Sequence, residues 1–410
     1  MKKKKKESLK PIGIVWLIYR VASVIYMKLR FNIKYDRTEF KKRNKKEGCV
    51  VIYNHACNYD HFISTAFFGR TRVNYVVSNR FMFNPLIRTI LGWARAIHRD
   101  QFKNDTASIL KMKRVIERGG VISVAPAGQV SINGSMPYIN PVIVKLLKMC
   151  KADVYTLQAN GTYLSMPKWG ISKRRYPVYV KCVKTLTKEE IKELDSNAIY
   201  NKIINDLNVS DRTYQMNKMI PIIGKNLSDG LQNILFMCPK CNNKYTFTSS
   251  DNLLKCKCCG NTIVYNKYGF LEKFDDSSVL FEDESKWCNY QKEEIMAQIK
   301  AKTYHLESNV SLYSNPTKEF KLELVGVGKL VYDGNTLKYI GTFLGENIQK
   351  EFNLNILIQF PFAPNKRFNI PSEDGLMEFI PDNKQVVFEW ATFIDAYHTL
   401  RQEEKENANN

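Results

Sequence analysis

Acidic side chains are scarce in the first 237 residues. That stretch holds 16 aspartates and glutamates against 42 lysines and arginines, a net of +26, whereas residues 238–410 hold 24 acids and 20 bases, a net of −4. Whatever acidic surface the chain meets, its N-terminal half meets it. Cysteine is sparse outside one segment: five of the ten fall in residues 238–259, and Cys49, Cys57, Cys150, Cys182 and Cys288 are scattered. In a chain of this length such spacing speaks against a disulfide framework and for a metal cluster in a reducing compartment. No internal repeat is visible, which excludes a solenoid.

A long apolar run free of charge is also missing. The opening, "MKKKKKESLKPIGIVWLIYRVASVIYMKLRFNIKY", has no small-residue cleavage site behind its apolar part, which argues against a secretory signal. Ile12–Leu29 is just long enough to span a bilayer, but Arg20 falls mid-helix at a cost of about 2.5–3.5 kcal/mol. Both flanks are basic, so charge favours keeping both ends in the cytoplasm. A single transmembrane span and a core helix behind a solvated lysine tail stay open. The preferred reading is a helix in the interface of an anionic membrane, with Trp16, Tyr19 and Tyr26 at the boundary. Nucleic acid is not expected, because the basic tail abuts a hydrophobic helix rather than a recognition motif.

What the chain does have is enough length for two or three domains, and 44% hydrophobic residues to build their cores. Residues 50–185 alternate strand-like segments ("CVVIY", "VNYVVS", "VISVAPAG", "DVYTLQANGTY", "PVYVKCVKTL") with helix-like ones ("DHFISTAFFGR", "NPLIRTILGWARA", "SILKMKRVIERGG", "PVIVKLLKMC"). This predicts an α/β domain with a largely parallel sheet flanked by helices. Residues 187–210 read as a closing helix, with Thr187 and Glu190 spaced as a capping box. The resulting division is a basic tail and membrane-interface helix over 1–40, an α/β domain over 41–215 and a linker over 216–237. A metal ribbon over 238–262, a connecting helical region over 263–319, a small β-rich module over 320–402 and a disordered tail over 403–410 follow.

Two patterns carry chemistry. In "VVIYNHACNYDHF" a buried-type strand runs directly into His55, with Asp60 five residues on. A parallel sheet presents its functional residues where strands end, and a carboxylate one turn into the next helix can hold a histidine's second nitrogen. A helix cap beside a surface histidine is the bland alternative. The second pattern is C-x2-C-x14-C-x2-C: Cys238, Cys241, Cys256 and Cys259. Four thiolates on two tight turns suit a closed, structural tetrahedral Zn²⁺ site, with Cys258 an extra thiol.

"NHACNYDHF" resembles the first signature of the glycerolipid acyltransferases, the family that includes the lysophosphatidic acid acyltransferases. "NRFMFNPLIRTILGWARAIHRD", "SVAPAGQVSINGSM" and "VYTLQANGTY" follow in the family's order as its second to fourth blocks, so the resemblance covers roughly residues 12–210. It implies that His55 is the general base and that Asp60 orients it. Asn54, Arg99, Pro126, Gly128 and Ser131 would bind substrate, Arg99 taking an acceptor phosphate. The donor would be acyl-CoA or acyl carrier protein, and the place of action the cytoplasmic face of the cell membrane. In the third block Ala127 and Val130 stand where the family has glutamate and arginine. Losing a charge-assisted phosphate contact costs about 1.5–3 kcal/mol, so the acceptor pocket must differ; Arg95, His98 and Lys145 are nearby candidates to compensate. The same departure motivates the alternative of a catalytically degenerate scaffold or lipid-binding protein. Residues 320–400 resemble, in hairpin pattern and final helix alone, the pleckstrin-homology or GRAM modules.

Overall fold

The computed structural model describes residues 9–99, 105–315, 321–372 and 375–409. The lysine run at the extreme N-terminus lies outside them. The chain divides into two compact units, Met1–Pro167 with Arg175–Ile220, and Lys168–Arg174 with Pro221–Asn410.

The first unit alternates helices and strands in chain order. Helix α1 (Gly13–Phe31) leads to β1 (Ile33–Asp36), α2 (Thr38–Lys42), β2 (Cys49–Tyr53), α3 (Asp60–Phe68) and β3 (Val73–Ser78). Then come α4 (Pro85–Trp93), β4 (Ile97–Arg99), α5 (Thr106–Glu117), β5 (Val121–Val124), α6 (Val142–Cys150) and β6 (Val154–Asn160). The short α7 (Thr162–Ser165), β7 (Val178–Leu186), α8 (Lys188–Glu193), α9 (Ser196–Leu207) and α10 (Asp211–Lys218) complete it. The strands form one sheet in the order β1-β7-β6-β2-β5-β3-β4. Its five strands from β6 to β4 run parallel, while β7 is antiparallel to β6 and β1 parallel to β7.

Strand β2 lies at the centre, between β5 and β6, and its first four residues are buried. Covered strands of this kind read as continuous apolar runs because neither face meets water. Val50 and Ile52 point into one layer with α5, α6 and α9; Cys49 and Val51 point into the other, with α1 and α3. The capping box forms as expected, with Thr187 accepting from the Glu190 amide and Glu190 from the Thr187 amide. The expected single closing helix is two, because Asp195 caps a fresh start by accepting from the Asn197 and Ala198 amides. No described helix is long and apolar enough to cross a membrane.

The second unit holds two larger sheets. One has four antiparallel strands, β8 (Phe247–Ser250), β9 (Leu253–Cys256), β10 (Thr262–Tyr265) and β11 (Leu271–Lys273), so the ribbon extends past its expected end at 262. After α11 (Glu284–Lys300) come seven strands: β12 (Leu306–Ser314), β13 (Glu323–Tyr332), β14 (Leu337–Phe343), β15 (Glu346–Phe352), β16 (Phe362–Ala363), β17 (Arg367–Ser372) and β18 (Gly375–Pro381). Their order is β15-β14-β13-β12-β18-β17-β16, and α12 (Val386–Asn409) follows. The module thus begins at Leu306, not 320. The polar sequence "LESN" hides β12, whose inward positions Leu306, Val310 and Leu312 become clear only against β13. Residues 403–409, expected to be disordered, continue α12 as helix. Favourable helix formers such as Glu403, Glu404 and Lys405 let the helix propagate once its buried first turns have nucleated it.

Candidate active site

Strand β2 ends at Tyr53, and the chain then turns through 54–59 before α3 starts at Asp60. This geometry brings His55 Nδ1 to 2.7 Å from Asp60 Oδ2. Asp60 is 4% exposed and sits at the N-terminus of α3, where the helix dipole favours a negative charge. Its carboxylate also accepts from the Ala56 and Cys57 amides at 3.0 and 3.2 Å, which lock the loop around the histidine. Because Asp60 holds Nδ1, Nε2 is the nitrogen left for a substrate. Tyr53 sets its ring edge-on to the imidazole, at 5.9 Å and 78°.

A pocket opens beside the histidine, lined among others by Tyr53, Asn54, His55, Pro126, Ala127 and Ser131, with Leu207 and Val209 from the end of α9. It is a small pocket, open on one side. The third-block loop is tied to the histidine directly, since the Ser131 amide donates to the His55 carbonyl at 2.8 Å. No sequence pattern marks that link.

The other expected site residues divide by their neighbours. Both polar atoms of the Asn54 amide are engaged by the Ala159 backbone, at 3.0 and 2.8 Å, so Asn54 clamps β2 to β6 beside the site. The Ser131 hydroxyl donates to the Ser135 carbonyl and accepts from the Gly134 amide, shaping the loop. Gly128, at φ +66°, makes the turn that Pro126 and Ala127 enter, but does not line the pocket. Arg99 ends the edge strand β4, three strands from β2, a lateral distance of about 14 Å. Neither it nor Arg95, His98 or Lys145 lines the pocket. Ala127 and Val130 are 6% and 9% exposed, and Ala127 belongs to the apolar core.

Two further groups matter. Cys57 donates its thiol to Asp60 Oδ1 at 3.2 Å, and burial with the adjacent carboxylate pushes its pKa well up, so it is a thiol and no nucleophile. Asp211, missed by sequence reasoning, accepts from the Gly161 and Tyr163 amides at 2.6 and 2.7 Å and fixes the turn leaving β6. Burial raises its carboxyl to about 6 despite those amides. No local motif announces it, because its partners lie some fifty residues earlier.

The four cysteines of the ribbon meet as the spacing predicts. Their sulfurs all lie within 4.8 Å of one another, with Cys238–Cys259 at 3.7 Å and Cys241–Cys256 at 3.9 Å. Tetrahedral bonds of about 2.3 Å to a central ion require sulfurs about 3.8 Å apart. The two knuckles repeat each other: Cys238 and Cys256 amides donate to the Asn243 and Asn261 carbonyls, and Asn242 and Gly260 take left-handed conformations. The cluster fits a metal ion. Cys258 is exposed and outside it.

Residues 33–173 match the family model Acyltransferase. Among solved structures, the 1-acyl-sn-glycerophosphate (LPA) acyltransferase PlsC from Thermotoga maritima is similar at 13% identity, over 50% of this chain and 80% of that one, with a TM-score of 0.41. No curated protein sequence matches the chain. Residues 33–173, about a third of the chain, are thus similar to acyltransferase domains.

Proposed function

We propose that the protein moves a fatty acyl group from a thioester, acyl-CoA or acyl carrier protein, to a hydroxyl of a lysophospholipid-type acceptor in membrane lipid synthesis or remodelling. The observation that carries this reading is the His55–Asp60 pair, locked at the end of the central parallel strand and lining an open pocket. His55 Nε2 takes the proton of the acceptor hydroxyl as its oxygen attacks the thioester carbonyl. Asp60 stabilises the imidazolium that forms. When the carbon–sulfur bond breaks, the thiolate leaves and recovers the proton from His55. No covalent enzyme intermediate is required, and the buried Cys57 thiol supplies none.

The acyltransferase works at a membrane surface, on its cytoplasmic face, with α1 lying in the interface. The support is the row of apolar residues that α1 leaves exposed, Ile14, Leu17, Ile18, Val21, Ile25 and Leu29, together with the basic excess of this half of the chain. Cys238, Cys241, Cys256 and Cys259 hold one structural Zn²⁺, which when bound cross-links the two knuckles. The seven-strand module and α12 take a pleckstrin-homology or GRAM-like role in docking or packing. The degenerate-scaffold alternative is not favoured, because the catalytic pair is intact.

The test is turnover by purified protein with acyl-CoA and with acyl carrier protein as donor. Loss of transfer in His55→Ala, with folding unchanged, is expected. Full turnover by His55→Ala overturns the reading.

A further inference from the structure

Helix α4 is built inside out. None of its residues is buried, and its apolar side chains form one stripe on the exposed side: Leu86 (71% exposed), Ile87, Ile90 and Trp93 (50%). Phe81, just before it, is exposed as well. Arg88, on the opposite side of the helix, is the better covered residue. Such an arrangement loses apolar stabilisation in water and gains it only against an apolar partner.

Two observations name that partner. The first is continuity: the Ile12 amide donates to the Trp93 carbonyl at 3.3 Å, and Asn74 Nδ2 donates to the Leu9 and Arg95 carbonyls. The entry to α1 is therefore tied to the exit of α4, and the exposed stripes of the two helices meet at Ile12 and Trp93. The second is charge. Residues 8–35 and 61–99 contain no aspartate or glutamate, yet hold eleven arginines and lysines, Arg80 and Arg88 among them. A large apolar face on segments whose charged residues are all cationic complements an anionic lipid bilayer.

We propose that α4 is a second membrane-docking element, continuous with α1, whose apolar stripe enters the headgroup–acyl boundary of an anionic bilayer. The inference rests on the interfacial reading of α1 given above and deepens it. Helix α4 lies in the crossover between β3 and β4, entered from the C-terminal end of β3. That is the same end of the parallel sheet at which His55 follows β2. The start of α4 thus lies at the catalytic end of the sheet, and its exit, joined to α1, at the other.

The structure supplies its own reporter. Trp93 is exposed, whereas Trp16, Trp169, Trp287 and Trp390 are all at most 5% exposed. The full chain is mixed with phosphatidylcholine vesicles, with and without phosphatidylglycerol, carrying brominated acyl chains. The expected result is a blue-shifted, bromine-quenched fluorescence with the anionic vesicles, absent in Trp93→Phe. Leu86→Ser combined with Ile90→Ser should weaken vesicle binding about tenfold or more, and both sites are exposed, so folding should hold. Binding to vesicles without quenching of Trp93 overturns the role of α4 while leaving α1 intact. No vesicle binding at all overturns the interfacial reading and this inference with it. A concentration-dependent blue shift without lipid assigns the stripe to a second copy of the chain and also overturns the proposal.

Discussion

At the residue scale, Asp60 has two duties that one substitution can separate. Its carboxylate orients His55 and also anchors the Ala56 and Cys57 amides. Asn at this position keeps an oxygen for the amides but cannot stabilise an imidazolium. Asp60→Asn should therefore lower kcat about 10²–10⁴-fold, with a smaller effect on KM, while thermal unfolding shifts little. Steady-state kinetics beside calorimetry checks this. His61, the next residue, is a separate case. It packs between Tyr19 of α1 and Phe62, and burial lowers its pKa from 6.5 to about 4. The unfolded chain then binds a proton that the folded one refuses. The stabilisation is complete above pH 6.5 and is lost as pH falls toward 4, by at most roughly 3 kcal/mol. Urea unfolding between those pH values should show the loss, and His61→Asn should flatten it.

At the scale of elements, the loop from β5 to α6 bears on the acceptor. Ala127 lines the pocket and packs in the core, and Val130 is equally enclosed. No charged side chain of this loop lines the pocket, and Arg99 ends a strand about 14 Å away across the sheet. A pocket lined by Asn54, His55 and Ser131 but by no arginine or lysine offers no fixed cation with which to favour a bare phosphate monoester. Measurable transfer to a larger lysolipid is expected, with lysophosphatidic acid a poor or merely equal acceptor. Side-by-side assays with one acyl donor check it; a strong preference for lysophosphatidic acid would show that distant arginines suffice. The strands and helices around this loop were legible because buried parallel strands are continuous apolar runs and their helices are amphipathic. The pairing of Ser131 with the His55 carbonyl was not, because backbone contacts leave no side-chain signature.

At the scale of the second unit, the ribbon and the terminal helix share one buried charge. Glu389 of α12 is fully buried and accepts from Lys244 Nζ at 2.5 Å, from the Tyr304 hydroxyl at 3.1 Å and from the Tyr245 hydroxyl. Lys244 and Tyr245 lie between the two cysteine knuckles. Lys244→Met should leave Glu389 without its cation and destabilise this unit by about 3–5 kcal/mol, measurable by denaturant titration followed through Trp287 and Trp390. Elemental analysis of protein purified without chelator should find one Zn²⁺ per chain, retained in Cys258→Ser. Its absence would remove zinc from the ribbon.

The sequence by itself determined the elements whose cause is local. Apolar periodicity marked most strands and helices between residues 50 and 185, though not β1, α2 or the edge strand β4; Thr187 and Glu190 marked a helix start, and cysteine spacing marked two knuckles. The pairing of His55 with Asp60 was also local, a strand end facing a helix start five residues on. Only the tertiary structure decided what depends on partners far along the chain. It joined Asn54 to Ala159, fixed the β6 turn with Asp211, placed Arg99 on the edge strand and tied Ile12 to Trp93. It also showed which apolar stripe faces outward. Composition cannot reveal that, since a buried and an exposed stripe of leucine and isoleucine have the same sequence, and packing alone tells them apart.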